Sequence, residues 1–164
     1  MNKNVLKAVI AGSLVASLGM GATAAHAATA TATAKAKILR QVTVTNTTDL
    51  QFGTIVSGTA ASTVVVSTAG ARTCGTGLVC SSTSSAASFD VTGTSGQVVT
   101  VSVPASVTLS SGTNSMTASL ASSNSSLTLA ANAGSFSVGG TLSVGANQAD
   151  GDYAGTFIAT VDYQ

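Results

Sequence analysis

The sequence predicts an all-β protein, an antiparallel sandwich or barrel, and three observations lead to this class. Apolar residues alternate with polar ones over short runs, as they do in half-buried strands. Gly, Ser, Thr, Asn and Asp, which favour turns, separate these runs about every ten residues. Beyond the N-terminal leader, no segment keeps a helical apolar stripe over three turns, so we expect no substantial helix.

The first 27 residues have the features of a secretory signal peptide. Lys3 and Lys7 give a positive start, and residues 8–20 are apolar or small. An Ala-x-Ala pattern then places the cleavage between Ala27 and Ala28. The apolar run is too short to span a bilayer comfortably, and no later run of about 18 apolar residues exists. We therefore expect export, with no membrane span after cleavage.

Residues 28–37 form an extended segment that differs from the rest of the chain. Alanine alternates with threonine or lysine, so one face of a strand would carry little apolar surface. The members of this face, continued by one isoleucine, are Ala30, Ala32, Ala34, Ala36 and Ile38. Two interpretations are open: a flexible tail, or a donor strand that forms only in the groove of another molecule.

Residues 38–164 are predicted to form one domain, whose strands follow one another in order. The apolar members of successive strands are Val42 and Val44; Leu50 and Phe52; Phe89 and Val91; Val99, Val101 and Val103; Val107 and Leu109; Leu127 and Leu129; Phe136 and Val138; Leu142 and Val144. Pro104 is predicted to end a strand or to lie at an edge. The last strand, residues 153–164, directs one face inwards: Tyr153, Gly155, Phe157, Ala159, Val161 and Tyr163.

The two cysteines, Cys74 and Cys80, are predicted to form a disulfide, because cysteines of an exported protein usually pair. The bridge would close a short loop as a local staple and contribute roughly 2–3 kcal/mol. A redox pair would favour Cys-x-x-Cys spacing, which is absent.

The chain after residue 27 is poor in reactive groups. It has no histidine, glutamate or tryptophan, and its four basic residues and five aspartates give a net charge of −1. We therefore expect no enzyme activity, no cofactor and no nucleic-acid binding. Asp150 and Asp152 flank a glycine, which favours a turn over a weak Ca²⁺ site because the further acidic ligands of a calcium loop are missing.

Three motifs carry a resemblance to known families. They are Asp49-Leu50-Gln51-Phe52-Gly53-Thr54-Ile55, Phe89-Asp90-Val91-Thr92-Gly93 and Gly151-Asp152-Tyr153-Ala154-Gly155-Thr156-Phe157. With them, most of residues 40–164 resembles a family of small secreted bacterial proteins of unknown function. More distantly, the first and last motifs are similar to the early Phe-Gly segment and the closing strand of archaic chaperone–usher pilins, the spore-coat-U-like subunits.

The pilin resemblance implies an immunoglobulin-like β-sandwich that lacks its final strand. A periplasmic chaperone would fill the gap, and an outer-membrane usher would let the N-terminal extension of the next subunit replace it. The chain itself ends at Gln164, directly after its last predicted strand. The implied function is a structural, pilin-like subunit that passes through the periplasm to a fimbrium on the cell surface and pairs with copies of itself or related subunits. The alternative is a self-sufficient secreted binding domain, such as an adhesin or coat component.

Overall fold

The computed structural model describes residues 26–164, and twelve β-strands lie within them. They are β1 Thr43–Thr48, β2 Thr54–Val56, β3 Ser62–Val66, β4 Arg72–Cys74, β5 Val79–Ser81, β6 Ala87–Thr92, β7 Val98–Ser102, β8 Ser106–Ser111, β9 Asn114–Ser122, β10 Ser126–Thr128, β11 Ala133–Val144 and β12 Thr160–Tyr163. No helix occurs in this part of the chain, which confirms the predicted all-β class. Nearly all of the predicted signal peptide, residues 1–25, lies outside the described residues.

The chain divides into two units, one ending at Ala36 and the other spanning Lys37–Gln164. In the first unit, residues 26–36 are exposed and none of them belongs to a strand. All twelve strands belong to the second unit.

Strand β11 is the centre of a seven-stranded antiparallel sheet. It pairs with β6 through residues 133–138, with β3 through residues 140–144 and with β9 through residues 138–143. Because β3 and β9 pair with the same residues of β11, they lie on its opposite edges. Beyond these neighbours, β1 pairs with β6, β4 with β3 and β8 with β9.

Two smaller sheets cover this large sheet and complete a sandwich-like arrangement. One has the order β10-β7-β12, and the other consists of β2 and β5. The first core cluster joins side chains of β6 and β11 to those of β7 and β12. The second joins β3, β9 and β11 to the region of β2 and β5, where Phe52 and Leu78 are buried.

The predicted alternation is confirmed where the two layers meet. Phe89 of β6 and Phe136 of β11 are cross-strand partners, and their rings stack at 5.0 Å between centroids. Val91, Val99 and Val138 are fully buried in the same cluster. Each buried side chain of this kind contributes roughly 1.5–3 kcal/mol, so this cluster is a principal source of the stability of the fold.

The length of β11 was not predicted, because the sequence suggests separate strands around Phe136 and Leu142. Gly139 and Gly140 lie in the middle of this one strand. A Cβ on Gly139 would stand 2.5 Å from the carbonyl oxygen of Val66. Because glycine has no Cβ, the end of β3 can approach β11 closely at this position. β11 continues through both glycines as one strand.

The last predicted strand, residues 153–164, was wrong in its length, since only β12, Thr160–Tyr163, is paired as a strand. In β12 and β7, Thr160 lies opposite Ser102. The same register would place Ile158 opposite Pro104, which has no N–H to donate. Pro104 thus follows a strand end, as predicted, and it also stops the neighbouring strand from pairing further.

Candidate functional site

Residues 155–159 form a strand-like segment without a strand partner. On one side of it, Ala154 exchanges two backbone hydrogen bonds with Ser110, at 2.9 and 3.1 Å. Within the described chain, residues 155–159 themselves make no hydrogen bond. Their side chains still alternate, since Phe157 and Ala159 are half-buried against the first core cluster while Ile158 is 80% exposed. The segment thus presents unpaired backbone groups, as edge strands do.

Next to this segment, an open groove of about 900 Å³ lies over the second core cluster. Its apolar lining includes Leu109, Met116, Leu142 and Val144, which come from β8, β9 and β11. Residues 52–57, which include β2, line it on one side, and residues 148–153 line it on the other. The groove is therefore a gap in the layer that faces the large sheet.

Hydrogen bonds hold the two sides of the groove in place. Ser57 Oγ donates to the carbonyl of Gln148 at 3.2 Å. Asn147 N donates to the carbonyl of Gly58 at 2.8 Å. Tyr153 stabilises the segment of residues 148–153, because its hydroxyl accepts from Gln148 Nε2 at 2.8 Å and donates to the Ala149 carbonyl at 2.9 Å. These contacts make the groove a preformed feature of the fold.

A second depression, of about 700 Å³, lies on the other side of the Ala154–Ser110 bridge. Val103, Pro104 and Val107 line it together with Phe157 and Ile158. The two depressions follow the same stretch of chain, residues 149–158, past β8.

The predicted disulfide is confirmed and lies behind the groove. Cys74, at the end of β4, is bonded to Cys80 in β5, with 6.2 Å between the Cα atoms. The bridge connects the large sheet to the two-stranded sheet, and both cysteines pack on the second core cluster. It therefore holds one side of the groove against the large sheet.

Arg72 supports the same region, a role that its sequence context does not indicate. Its Nη1 donates to the carbonyl of Phe52 at 3.0 Å and to the carbonyl of Ser81 at 2.8 Å. The guanidinium thus ties β4 to the residues just before β2 and to the end of β5. A lone arginine in a Ser/Thr-rich sequence reads as a surface residue, and only the tertiary fold gives it these partners.

Comparison with known proteins identifies the family. Residues 42–163 match the family described as Domain of unknown function (DUF4402). The chain belongs to this family. The DUF4402 domain begins one residue before β1 and ends on the last residue of β12, so it includes every strand. No curated protein matches the chain at a significant level.

Tyr163, the second tyrosine of the DUF4402 domain, fixes the place where the chain enters the domain. The Tyr163 hydroxyl accepts from Thr94 N at 2.7 Å and donates to the carbonyl of Arg40 at 2.8 Å. Arg40 N donates to Thr94 Oγ1 at 2.8 Å, and Lys37 Nζ donates to Gln97 Oε1 at 2.7 Å. The chain thus enters the domain at the 94–97 turn, beside the C-terminal end of β12.

The predicted donor-strand residues form no strand in this structure. Ala30, Ala32, Ala34 and Ala36 are exposed, and Ile38 is 92% exposed. Their role in another molecule therefore stays a prediction, as does cleavage between Ala27 and Ala28.

The acidic residues of the DUF4402 domain do not gather into a metal site. Among residues 26–164, no three His, Cys, Asp or Glu side chains come together as ligands. Asp150 and Asp152 are exposed residues on the rim of the groove. In the same described range, no helix of the length and apolarity needed to span a bilayer occurs.

Proposed function

We propose that this protein is an exported structural subunit that assembles with other copies by strand pairing. In this proposal, the N-terminal segment of one copy adds a strand to the sheet of the next, so the protein acts through shape and backbone hydrogen bonds and not as an enzyme. The observation that carries the proposal is the unpaired segment at residues 155–159, which alternates like a strand and leaves its N–H and C=O groups free.

The donor in this proposal is the segment 28–38. Its alternating alanines suit an extended conformation, and Ile38 is an exposed apolar side chain at its end. An added strand gains affinity mainly from main-chain hydrogen bonds, and its alternate side chains then settle over apolar surface. Each alanine contributes little apolar burial, so the main-chain hydrogen bonds and Ile38 would supply most of the affinity of this donor.

The pilin resemblance supplies the cellular context of the proposal. The subunit would leave the cytoplasm through its signal peptide and meet a chaperone in the periplasm. An outer-membrane usher would then hand it to a growing surface fibre. A gene neighbourhood with chaperone and usher genes would support this context.

The test compares exported material from the full chain with that from altered N-termini, on gels without boiling and by size-exclusion chromatography. We expect ladders from the natural chain. Deletion of residues 28–37 should abolish them, because the donor is lost. The double substitution Ala32→Pro and Ala34→Pro should also abolish them, because proline cannot donate to a strand ladder.

The matched control is the double substitution Ala32→Val and Ala34→Val, which keeps the length and charge of the segment and raises its β-propensity. It should preserve or strengthen the ladders. Near-ultraviolet circular dichroism should show the same folded domain in all variants. Ladders that persist after the deletion would end the proposal.

A self-sufficient secreted binding domain is the second candidate function. The groove favours it, because about 900 Å³ falls within the range of roughly 300–1,000 Å³ that small-molecule sites occupy. This candidate predicts a monomer at all concentrations, whereas strand pairing predicts multimers that depend on residues 28–37.

A further inference from the structure

The charges of this protein are divided unequally along the chain. Lys35, Lys37 and Arg40 precede β1, and residues 41–164 contain one arginine and five aspartates, a formal charge of −4. That arginine, Arg72, is already engaged with two carbonyls. The domain therefore offers negative charge, and the segment in front of it offers positive charge.

Part of this negative charge lies on the groove. Asp150 and Asp152 are two residues apart on its rim and are exposed to solvent. Lys35 and Lys37 are likewise two residues apart, in the segment whose alternate positions are alanines. In a strand that turns its alanines to the apolar floor, the lysines point away from the floor, and their long side chains can reach a rim.

We propose that the groove beside Asp150 and Asp152 receives residues 30–38 of a second copy, with Lys35 and Lys37 of that copy next to the two aspartates. Lys37 would give up its exposed hydrogen bond to Gln97 of its own domain for this contact. This inference rests on the proposed function and extends the contact of the donor from the unpaired residues 155–159 to the neighbouring groove, whose lining ends at Tyr153. The alanines and Ile38 would cover the floor that Leu109 and Met116 help to form.

The positions of the two ends favour a second copy over the chain's own segment. The chain enters the domain beside Tyr163, whereas the groove lies beside Tyr153. Eleven extended residues from 153 to 163 span roughly 33 Å. Arg40 is hydrogen-bonded to Tyr163, and Ile38 precedes it by two residues, a reach of about 7 Å at full extension, so Ile38 cannot reach the groove of its own domain. A donor at one end and an acceptor at the other make a head-to-tail contact.

Met116 provides a site-specific probe of the groove. Of the three methionines in the sequence, Met1 and Met20 lie in the predicted leader, so the exported chain has one methionine methyl group. The full exported chain carrying Ala32→Pro and Ala34→Pro, labelled with ¹³C at this methyl, would be titrated with a synthetic peptide of residues 28–41. We expect a saturable shift of the single methyl signal and a dissociation constant that rises with salt.

Charge exchange then tests the pairing itself. Replacing both aspartates, Asp150→Lys with Asp152→Lys, should weaken the peptide at least about tenfold at low salt, because two attractions become repulsions. A peptide with Lys35→Asp and Lys37→Asp should recover affinity for that variant to within about threefold of the natural pair. The milder pair Asp150→Asn and Asp152→Asn should weaken binding about twofold to tenfold without reversing the charge.

The outcomes separate this inference from the proposed function. Peptide binding, measured by fluorescence anisotropy, that leaves the Met116 methyl unmoved would place the donor elsewhere and overturn the inference, while strand assembly would stand. An unchanged dissociation constant after charge reversal, or equal binding of a peptide with scrambled sequence, would overturn it as well. Failure of the peptide to bind, together with the absence of multimers in the natural protein, would remove both proposals.

Discussion

The unpaired segment makes a sharp prediction, because truncation of two neighbouring side chains in it should change the stability by clearly different amounts. Phe157 is half-buried, and its ring stands edge-on to Phe89, at 6.2 Å between centroids. Ile158 is 80% exposed. The substitutions Phe157→Ala and Ile158→Ala remove large apolar side chains at adjacent positions, so any difference between them reports which face of the segment is packed.

The expected magnitudes follow from this geometry. A fully buried phenylalanine costs about 3–5 kcal/mol when it is truncated to alanine, and an aromatic pair contributes about 0.5–1.5 kcal/mol. Because Phe157 is only half-buried, we expect Phe157→Ala to lower the free energy of unfolding by about 2 kcal/mol. Truncation of an exposed side chain changes stability by less than about 0.5 kcal/mol, and we expect this of Ile158→Ala.

The assay is urea unfolding of the monomeric Ala32→Pro, Ala34→Pro chain, followed by circular dichroism, with thermal unfolding in parallel. The slope of the free energy with urea should be unchanged, so that the midpoint alone reports stability. The Tm should fall by about 4–8 °C for Phe157→Ala and hardly move for Ile158→Ala. Equal losses in the two variants would show that the alternation described for residues 155–159 does not hold in solution.

Three further predictions concern the contacts that frame the groove and the N-terminal entry. Arg72→Met removes a charged donor from two carbonyls, and thermal unfolding should show a loss of about 2–3 kcal/mol; an unchanged Tm would mean that water replaces the guanidinium at no cost. Tyr163→Phe removes the hydroxyl that links the entry segment to the 94–97 turn, and we expect a loss of about 1–2 kcal/mol with faster hydrogen exchange ahead of β1; protection equal to that of the natural protein would contradict the link. Cys74→Ser with Cys80→Ser should cost about 2–3 kcal/mol in urea unfolding, and the reduced natural protein should match this variant; a larger loss in the variant alone would point to poor packing of the serines.

The sequence predicted the faces of the strands well, because the direction of a side chain in a strand depends only on its position along the backbone. Phe89, Val91 and Val101 alternate with polar neighbours, and all three are buried. The same local rule placed Phe157 on the inner face although its segment has no partner. The disulfide could equally be predicted from the sequence, because the chain contains only two cysteines and they lie close together.

The pairing of the strands was harder to predict from the sequence, because the hydrogen-bond partner of a strand is distant from it along the chain. Pro104 lies more than fifty residues before Ile158, and only the register of β7 with β12 brings the two positions opposite each other. The sequence suggested two strands where the structure has the single strand β11, in which Gly139 allows the end of β3 to approach closely. The hydrogen bonds of Arg72 likewise depend on the tertiary structure, which brings the carbonyls of Phe52 and Ser81 to its guanidinium.

What the sequence determined by itself is therefore the class of the molecule: an all-β chain with little reactive chemistry, a cationic alternating segment and an acidic domain behind it. Charge and period-two alternation are properties of the chain that do not depend on how its strands are arranged. The tertiary structure decided where the facing layer is incomplete, and thus where a groove opens beside an unpaired segment. An opening of this kind depends on which strands fail to meet, and that is fixed only by packing around the core.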